Sequence, residues 1–334
     1  MVTDLDTGAV LAARDPHGRY QPASVLKLLA GLVMLPRLPG TRVVTATPAA
    51  ANAEGSAVGL VPGGRYTVDT LFKSLYLMSG NDAAMALALA NGGPARTVAE
   101  MNAYARRLGA YDTVVQTPSG LDGWTQLTSA YDLTLILRAA VNTPRLLAYD
   151  EARTARLPAQ KVGKRKWGGV PLFNESDNFF TTVPGALLAK TGFTGAAQHT
   201  YVCAATRGGR RIGVVFLRNQ RRPVDQYLQA GALLNWAFAL PRTTVPVGHL
   251  GAVASASAPT PTTTSTTAGR SAATPAATAS SGSPVATASK SGSAHAQKST
   301  FGPRWVMVIV AVLAALSFVL RAYGRRRRRD RRHR

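Results

Sequence analysis

Residues 22–35 (PASVLKLLAGLVML) are apolar at nearly every position and have no polar face, which predicts a helix buried all round. Ser24 and Lys27 interrupt that pattern three residues apart, and so lie on one face, a turn apart. Before this segment, residues 2–15 (VTDLDTGAVLAARD) read as a β-hairpin turning at Asp6-Thr7-Gly8, with a first strand short by several residues. Helical spacing returns over 68–78 and 82–89, separated by the tight turn Ser79-Gly80-Asn81. The apolar run 185–189 predicts a core strand that ends at Lys190. Runs 200–207 and 210–217 flank Gly208-Gly209, a hairpin signal, and 224–238 predicts a last helix.

This patterning stops near residue 245, so residues 1–245 form one catalytic-sized domain of the 334-residue chain. Residues 246–302 are dominated by Ala, Ser, Thr and Pro, which cannot bury enough apolar surface to offset chain entropy and predict a disordered linker. Residues 305–320 carry no charge, and the span 303–324 is long enough for one membrane-crossing helix, with Trp305 and Tyr323 at its ends. The arginine-rich tail 325–334 follows it, so the positive-inside rule places the C-terminus in the cytoplasm and the N-terminal domain outside the cell. An exported domain needs a targeting segment and the chain opens without one, which leads us to expect a start placed too late or a trimmed N-terminus.

The net charge of +23 could suggest nucleic acid, but roughly half of it lies beyond residue 250, directly after an apolar span and with no interleaved aromatics. Nucleic-acid binding is therefore not expected. The cluster Lys161, Lys164, Arg165 and Lys166 reads as a solvated loop that could hold an anionic wall polymer. The single cysteine, Cys203, sits in an apolar run and reads as a core thiol; no Cys/His cluster calls for a metal, and no cofactor is expected.

Three short motifs carry the candidate chemistry. A lysine held in an apolar setting loses solvation for its charged form, so Lys27 could supply a neutral amine to deprotonate Ser24. Ser79 and Asn81 on their turn could relay a proton and hold a substrate carbonyl. Lys190, Thr191 and Gly192 offer a cation, a hydroxyl and a close backbone approach at one strand edge, suited to a peptide's terminal carboxylate beside a developing oxyanion. Singly, each has a plainer explanation: a helix cap with a snorkelling lysine, a pair of turn caps, and a strand-edge lysine.

Together they fall in a known order, about 55 residues from Ser24 to Ser79 and about 110 from there to Lys190. With the runs DLDTG (4–8), RYQPAS (19–24), LMSGNDAA (77–84), TPSGLD (117–122) and KTGFT (190–194), the chain resembles the serine-type D-alanyl-D-alanine carboxypeptidases, the low-molecular-mass penicillin-binding proteins. The resemblance implies an α+β fold of the β-lactamase/DD-peptidase type: a five-stranded antiparallel sheet flanked by helices, a mostly helical second lobe, and the site between them. It implies Ser24 as acylated nucleophile, Lys27 as its base and Ser79 as the relay to the leaving D-alanine. Asn81 would orient substrate and Lys27. Lys190 and Thr191 would bind the terminal carboxylate, Gly192 would allow close approach, the N–H groups of Ser24 and Phe193 would form the oxyanion hole, and Thr194 would add a hydrogen bond. Partners would be peptidoglycan stem peptides, with β-lactams as covalent inhibitors. Some relatives carry a further β-rich domain, which the passage from 224–238 almost directly into the linker leads us not to expect. Two alternatives stand: a class A-like β-lactamase, although none of Glu54, Glu100, Glu151 and Glu175 lies in the E-x-x-L-N context, and a non-catalytic β-lactam-sensing or wall-binding protein.

Overall fold

The computed structural model describes residues 1–251. The N-terminal hairpin pairs β1 (Val2–Asp4) with β2 (Ala9–Ala12), its turn held by the Asp4 carboxylate accepting the N–H groups of Asp6 and Thr7 at 3.1 and 3.0 Å. A 3₁₀ turn, Ala23–Leu26, runs into α1 (Lys27–Met34), every residue of which is buried, as its unbroken apolarity predicts. Then come β3 (Val43–Thr45), α2 (Pro48–Ala51), β4 (Arg65–Thr67), α3 (Val68–Leu77), α4 (Asn81–Ala90), α5 (Pro94–Arg107), α6 (Ala130–Val141) and α7 (Pro144–Asp150). These helices make the helical lobe around α1, whose Leu28 and Leu29 are fully buried and contribute roughly 2 kcal/mol each.

The chain next builds four short strands, β5 (Thr154–Leu157), β6 (Gln160–Val162), β7 (Arg165–Trp167) and β8 (Val170–Phe173), and the helix α8 (Asp177–Thr182). The basic cluster read as a solvated loop is thus a two-stranded ribbon, β6 against β7. The long strands β9 (Ala186–Thr194), β10 (Gln198–Arg207) and β11 (Arg210–Asn219) follow, then α9 (Gln226–Ala239) and β12 (Gly248–His249). Gly208 and Gly209 close the β10–β11 hairpin with positive φ of +55° and +69°, the geometry two-residue hairpin turns require.

The main sheet has the order β12-β2-β1-β11-β10-β9 and is antiparallel throughout. It has six strands rather than the expected five, because Gly248 and His249 pair with Val10 and Ala9 at its edge. For the same reason the folded unit passes the boundary expected at residue 245: Leu250 is buried, and its N–H bonds the Gly8 carbonyl at 2.8 Å. Side chains alternate across the sheet. Val202 and Ala204 of β10 face the helical lobe, whereas Tyr201, Cys203 and Ala205 pack with Phe179 of α8 and with Ala230 and Leu234 of α9. The expected membrane-spanning segment, the expected linker from residue 252 on and the arginine-rich tail lie outside the described residues; among the described residues no helix is long and apolar enough to cross a membrane.

Candidate active site

Ser24 lies in the 3₁₀ turn ahead of α1, so Lys27 begins the helix proper directly beneath it. The turn is locked from three sides. The Thr200 hydroxyl of β10 donates to the Pro22 carbonyl at 2.9 Å. Gly120, at φ +88°, lies so close that a Cβ there would meet the Ala23 carbonyl oxygen at 2.0 Å. A Cβ on Gly192 would lie 2.8 Å from the Ser24 nitrogen, so β9 passes directly alongside the turn, as the close approach predicted for this glycine requires. Ala23 is held at φ +51°, a left-handed conformation that alanine rarely adopts and that this surrounding packing maintains.

The Lys27 amine is fully buried and has three neighbours: Ser24 Oγ at 2.8 Å, Asn81 Oδ1 at 2.7 Å and the Ser119 carbonyl at 2.8 Å. Burial pushes its pKa well below the ordinary lysine value, and the charge of Lys190 pushes the same way; Glu175 and Asp82 oppose both. The amine therefore sits within hydrogen-bond reach of the serine hydroxyl, with its charged form disfavoured and its position fixed from two further sides. Asn81, the first residue of α4, fixes one of them. Its Nδ2 donates to the Glu54 carbonyl at 2.6 Å, which turns its oxygen toward Lys27.

Ser79 stands between α3 and α4 at φ +55°, buried, with its hydroxyl free of any hydrogen-bond partner among the described residues. An unpartnered buried hydroxyl costs stability, and a strained turn holding one at a cleft marks a group kept for a ligand. Lys190 is likewise buried, donating to the Thr191 carbonyl at 3.0 Å and facing a Glu175 oxygen at 3.9 Å. Its pKa is lowered by burial and partly restored by Glu175 and Asp150. Ser24, Ser79, Thr191, Gly192, Phe193 and Glu175 line one cleft of about 390 Å³. A larger groove of about 1020 Å³, beside Met1, Arg14 and Arg218, holds none of these groups, so chemistry and not volume picks out the site.

Thr194 has partners within the fold. Its hydroxyl donates to Asp122 at 2.5 Å and accepts the Ala197 N–H at 2.9 Å, tying the strand edge to the loop that follows Ser119. Phe193 is 60% exposed and tilts against His199 at the cleft mouth, with ring centroids 4.6 Å apart.

Sequence reasoning missed four contributors. The Ser119 carbonyl holds Lys27 from within TPSGLD, a run that carried the resemblance but gave no hint of a backbone acceptor. Asp82, buried in the first turn of α4, accepts the N–H groups of Val58, Gly59, Leu60 and Ala83 and so folds the 54–60 loop over Asn81; an acid at a helix start was the available signal. Glu175 faces Lys190. Asp150, at the end of α7, accepts the Ala189 N–H at 2.8 Å, immediately before Lys190.

Burial pushes the Asp150 carboxyl up to about 7, against the opposing pull of the Ala189 N–H and Lys190. An acid with a raised folded-state pKa binds its proton more tightly folded than unfolded, so stability should fall as pH rises from about 4 to about 7. Thermal midpoints between pH 4 and 8 are expected to decline more steeply for the native chain than for Asp150→Asn, which keeps an acceptor for Ala189. Equal slopes would show that Asp150 does not titrate in that window.

With this geometry in view, comparison with known proteins decides the family. The family model for D-alanyl-D-alanine carboxypeptidase, Peptidase S11, matches residues 1–220. The chain belongs to this family of serine-type D-alanyl-D-alanine carboxypeptidases. It is 40% identical over 250 residues to D-alanyl-D-alanine carboxypeptidase DacB2 of Mycobacterium tuberculosis, covering 73% of this chain and 84% of that one. A crystal structure of D-alanyl-D-alanine carboxypeptidase from M. tuberculosis H37Rv superposes with a TM-score of 0.68 at 41% identity, covering 75% of this chain and 93% of that one. The Streptomyces K15 DD-transpeptidase superposes at 0.65 with 25% identity, covering 72% and 95%.

Proposed function

We propose that this carboxypeptidase removes the terminal D-alanine from peptidoglycan stem peptides through an acyl-serine on Ser24. The neutral Lys27 amine takes the hydroxyl proton as Ser24 Oγ attacks the carbonyl between the last two D-alanines, and the N–H groups of Ser24 and Phe193 stabilise the oxyanion. The Ser79 hydroxyl passes a proton to the departing amine, and its lack of any other partner among the described residues supports that role. Lys190 and Thr191 hold the terminal carboxylate, while Asn81 keeps Lys27 in place. Water then hydrolyses the ester and frees the enzyme.

One observation carries the reading: a buried amine of lowered pKa lies 2.8 Å from a serine oxygen at the edge of a cleft that also holds the Lys190 strand. Release of free D-alanine from a pentapeptide ending in D-Ala-D-Ala, absent in Ser24→Ala, is the expected result. No release would favour a sensor or wall-binding protein that keeps the pocket without turnover. Penicillins should acylate Ser24 and leave slowly, because of the four glutamates only Glu175 lines the cleft, and it faces Lys190. Rapid steady hydrolysis of penicillin would instead support a β-lactamase. The same proposal has the span 303–324 anchor the domain outside the cell, on the strength of its uncharged core and following arginines; a chain ending at residue 302 should then leave the membrane fraction.

A further inference from the structure

Residues 152–174 hold six cations, Arg153, Arg156, Lys161, Lys164, Arg165 and Lys166, and no carboxylate. Arg153 pairs with Asp177, but among the described residues the other five take part in no ion pair. The four of the β6–β7 ribbon are exposed. Its register sets Lys161 directly opposite Lys166 and Val162 opposite Arg165. Like charges facing each other across a ladder repel, and a surface built only for solubility would intersperse the signs.

The ribbon is also fixed in place. Gln160 clips it to β4, its Oε1 accepting the Arg65 N–H at 2.8 Å and its Nε2 donating to the Arg65 carbonyl at 3.1 Å. Val162, on the same face as Gln160, lies against Gly63. That contact turns Lys161 and Lys166 outward on the opposite face. At its base the arm leads through β8 and Asn174 into Glu175, whose N–H bonds the Leu77 carbonyl at 2.8 Å, so it is continuous with the cleft wall.

We propose that the β6–β7 ribbon docks a flexible phosphodiester polymer of the cell wall and so holds the enzyme beside its peptide substrate. The uncompensated cross-strand repulsion is what such a polymer would relieve. The cations follow one another along a narrow ribbon, which suits a threaded chain of phosphates better than a flat layer of lipid headgroups. The proposal is independent of the chemistry at Ser24, whose activity serves as its control.

The test is titration of the detergent-solubilised full chain with soluble poly(glycerol phosphate). The three cations off the clipped face, Lys161, Lys164 and Lys166, give a log–log salt slope near −2, so raising salt fourfold is expected to weaken binding roughly twentyfold. Lys164→Glu/Lys166→Glu should weaken it at least about tenfold and flatten the slope. D-alanine release from a short soluble peptide should be unchanged, and the melting temperature should not fall, since an acid opposite Lys161 removes the repulsion. Arg106→Glu/Arg107→Glu, an equal change in net charge on α5, should leave binding nearly intact. Equal weakening by both double variants, absence of saturable binding, or binding to anionic phospholipid vesicles but not to the polymer would each overturn the proposal.

Discussion

Lys27→Met is expected to cut D-alanine release and penicillin acylation by about a thousandfold or more, within the range a positioned general base supplies when it also activates the nucleophile. Methionine fills nearly the same buried space but carries no amine to accept the Ser24 proton 2.8 Å away. The loss should appear in kcat, because the amine acts on the serine and not on the part of the substrate that binds. The substitution also strips a donor from the Asn81 side chain and the Ser119 carbonyl, both in buried surroundings, so a stability cost of about 1–3 kcal/mol should accompany it. A variant that stays folded, binds substrate with little change in KM and fails to turn over is the expected combination. Activity within tenfold of the native level would mean that another group deprotonates Ser24.

Gly192→Ala should also be damaging, by about tenfold less, for a steric reason. The new Cβ would lie 2.5 Å from Thr200 Oγ1, 2.8 Å from the Ser24 nitrogen and 3.1 Å from Ala23 Cβ, and two of these neighbours belong to the turn that holds the nucleophile. Either β9 retreats or the turn shifts. A displacement on the order of 1 Å at a reacting centre is worth about a hundredfold in rate. The expected result is therefore a fall in kcat/KM of about that size, with the melting temperature lowered much less than by a core truncation. Gly195→Ala, three residues on with nothing within 4 Å of its new Cβ, is the matched control and should behave like the native chain.

The parts of this site that can be read along the chain are those where side-chain identity carries the chemistry. The unbroken apolarity around Ser24 and Lys27 implies a buried helix, and a buried lysine implies a base, before any partner is known. The Ser79 turn between two helical patterns and the strand ending at Lys190 are legible for the same reason. What is not legible depends on backbone atoms or on distant elements meeting. The Ser119 carbonyl that completes the Lys27 cage has no signature in residue type, and Asp150 acquires its role only because the end of α7 abuts β9. The sixth strand is two residues long in a Pro- and Gly-marked stretch, too short for an alternation to show. The internal partners of Thr194, Asp122 and Ala197, are equally invisible along the chain, because they meet it only when the strand edge and the loop after Ser119 come together.

The central claim is that Ser24 is the atom to which substrate becomes bonded, activated by the amine beneath it. Incubating the full chain with penicillin and locating the mass increase by peptide mapping tests this most directly. One penicilloyl group per chain on the peptide containing Ser24, absent in Ser24→Ala and strongly slowed in Lys27→Met, is the expected result. An adduct on any other residue, or undiminished labelling of Ser24→Ala, would contradict it.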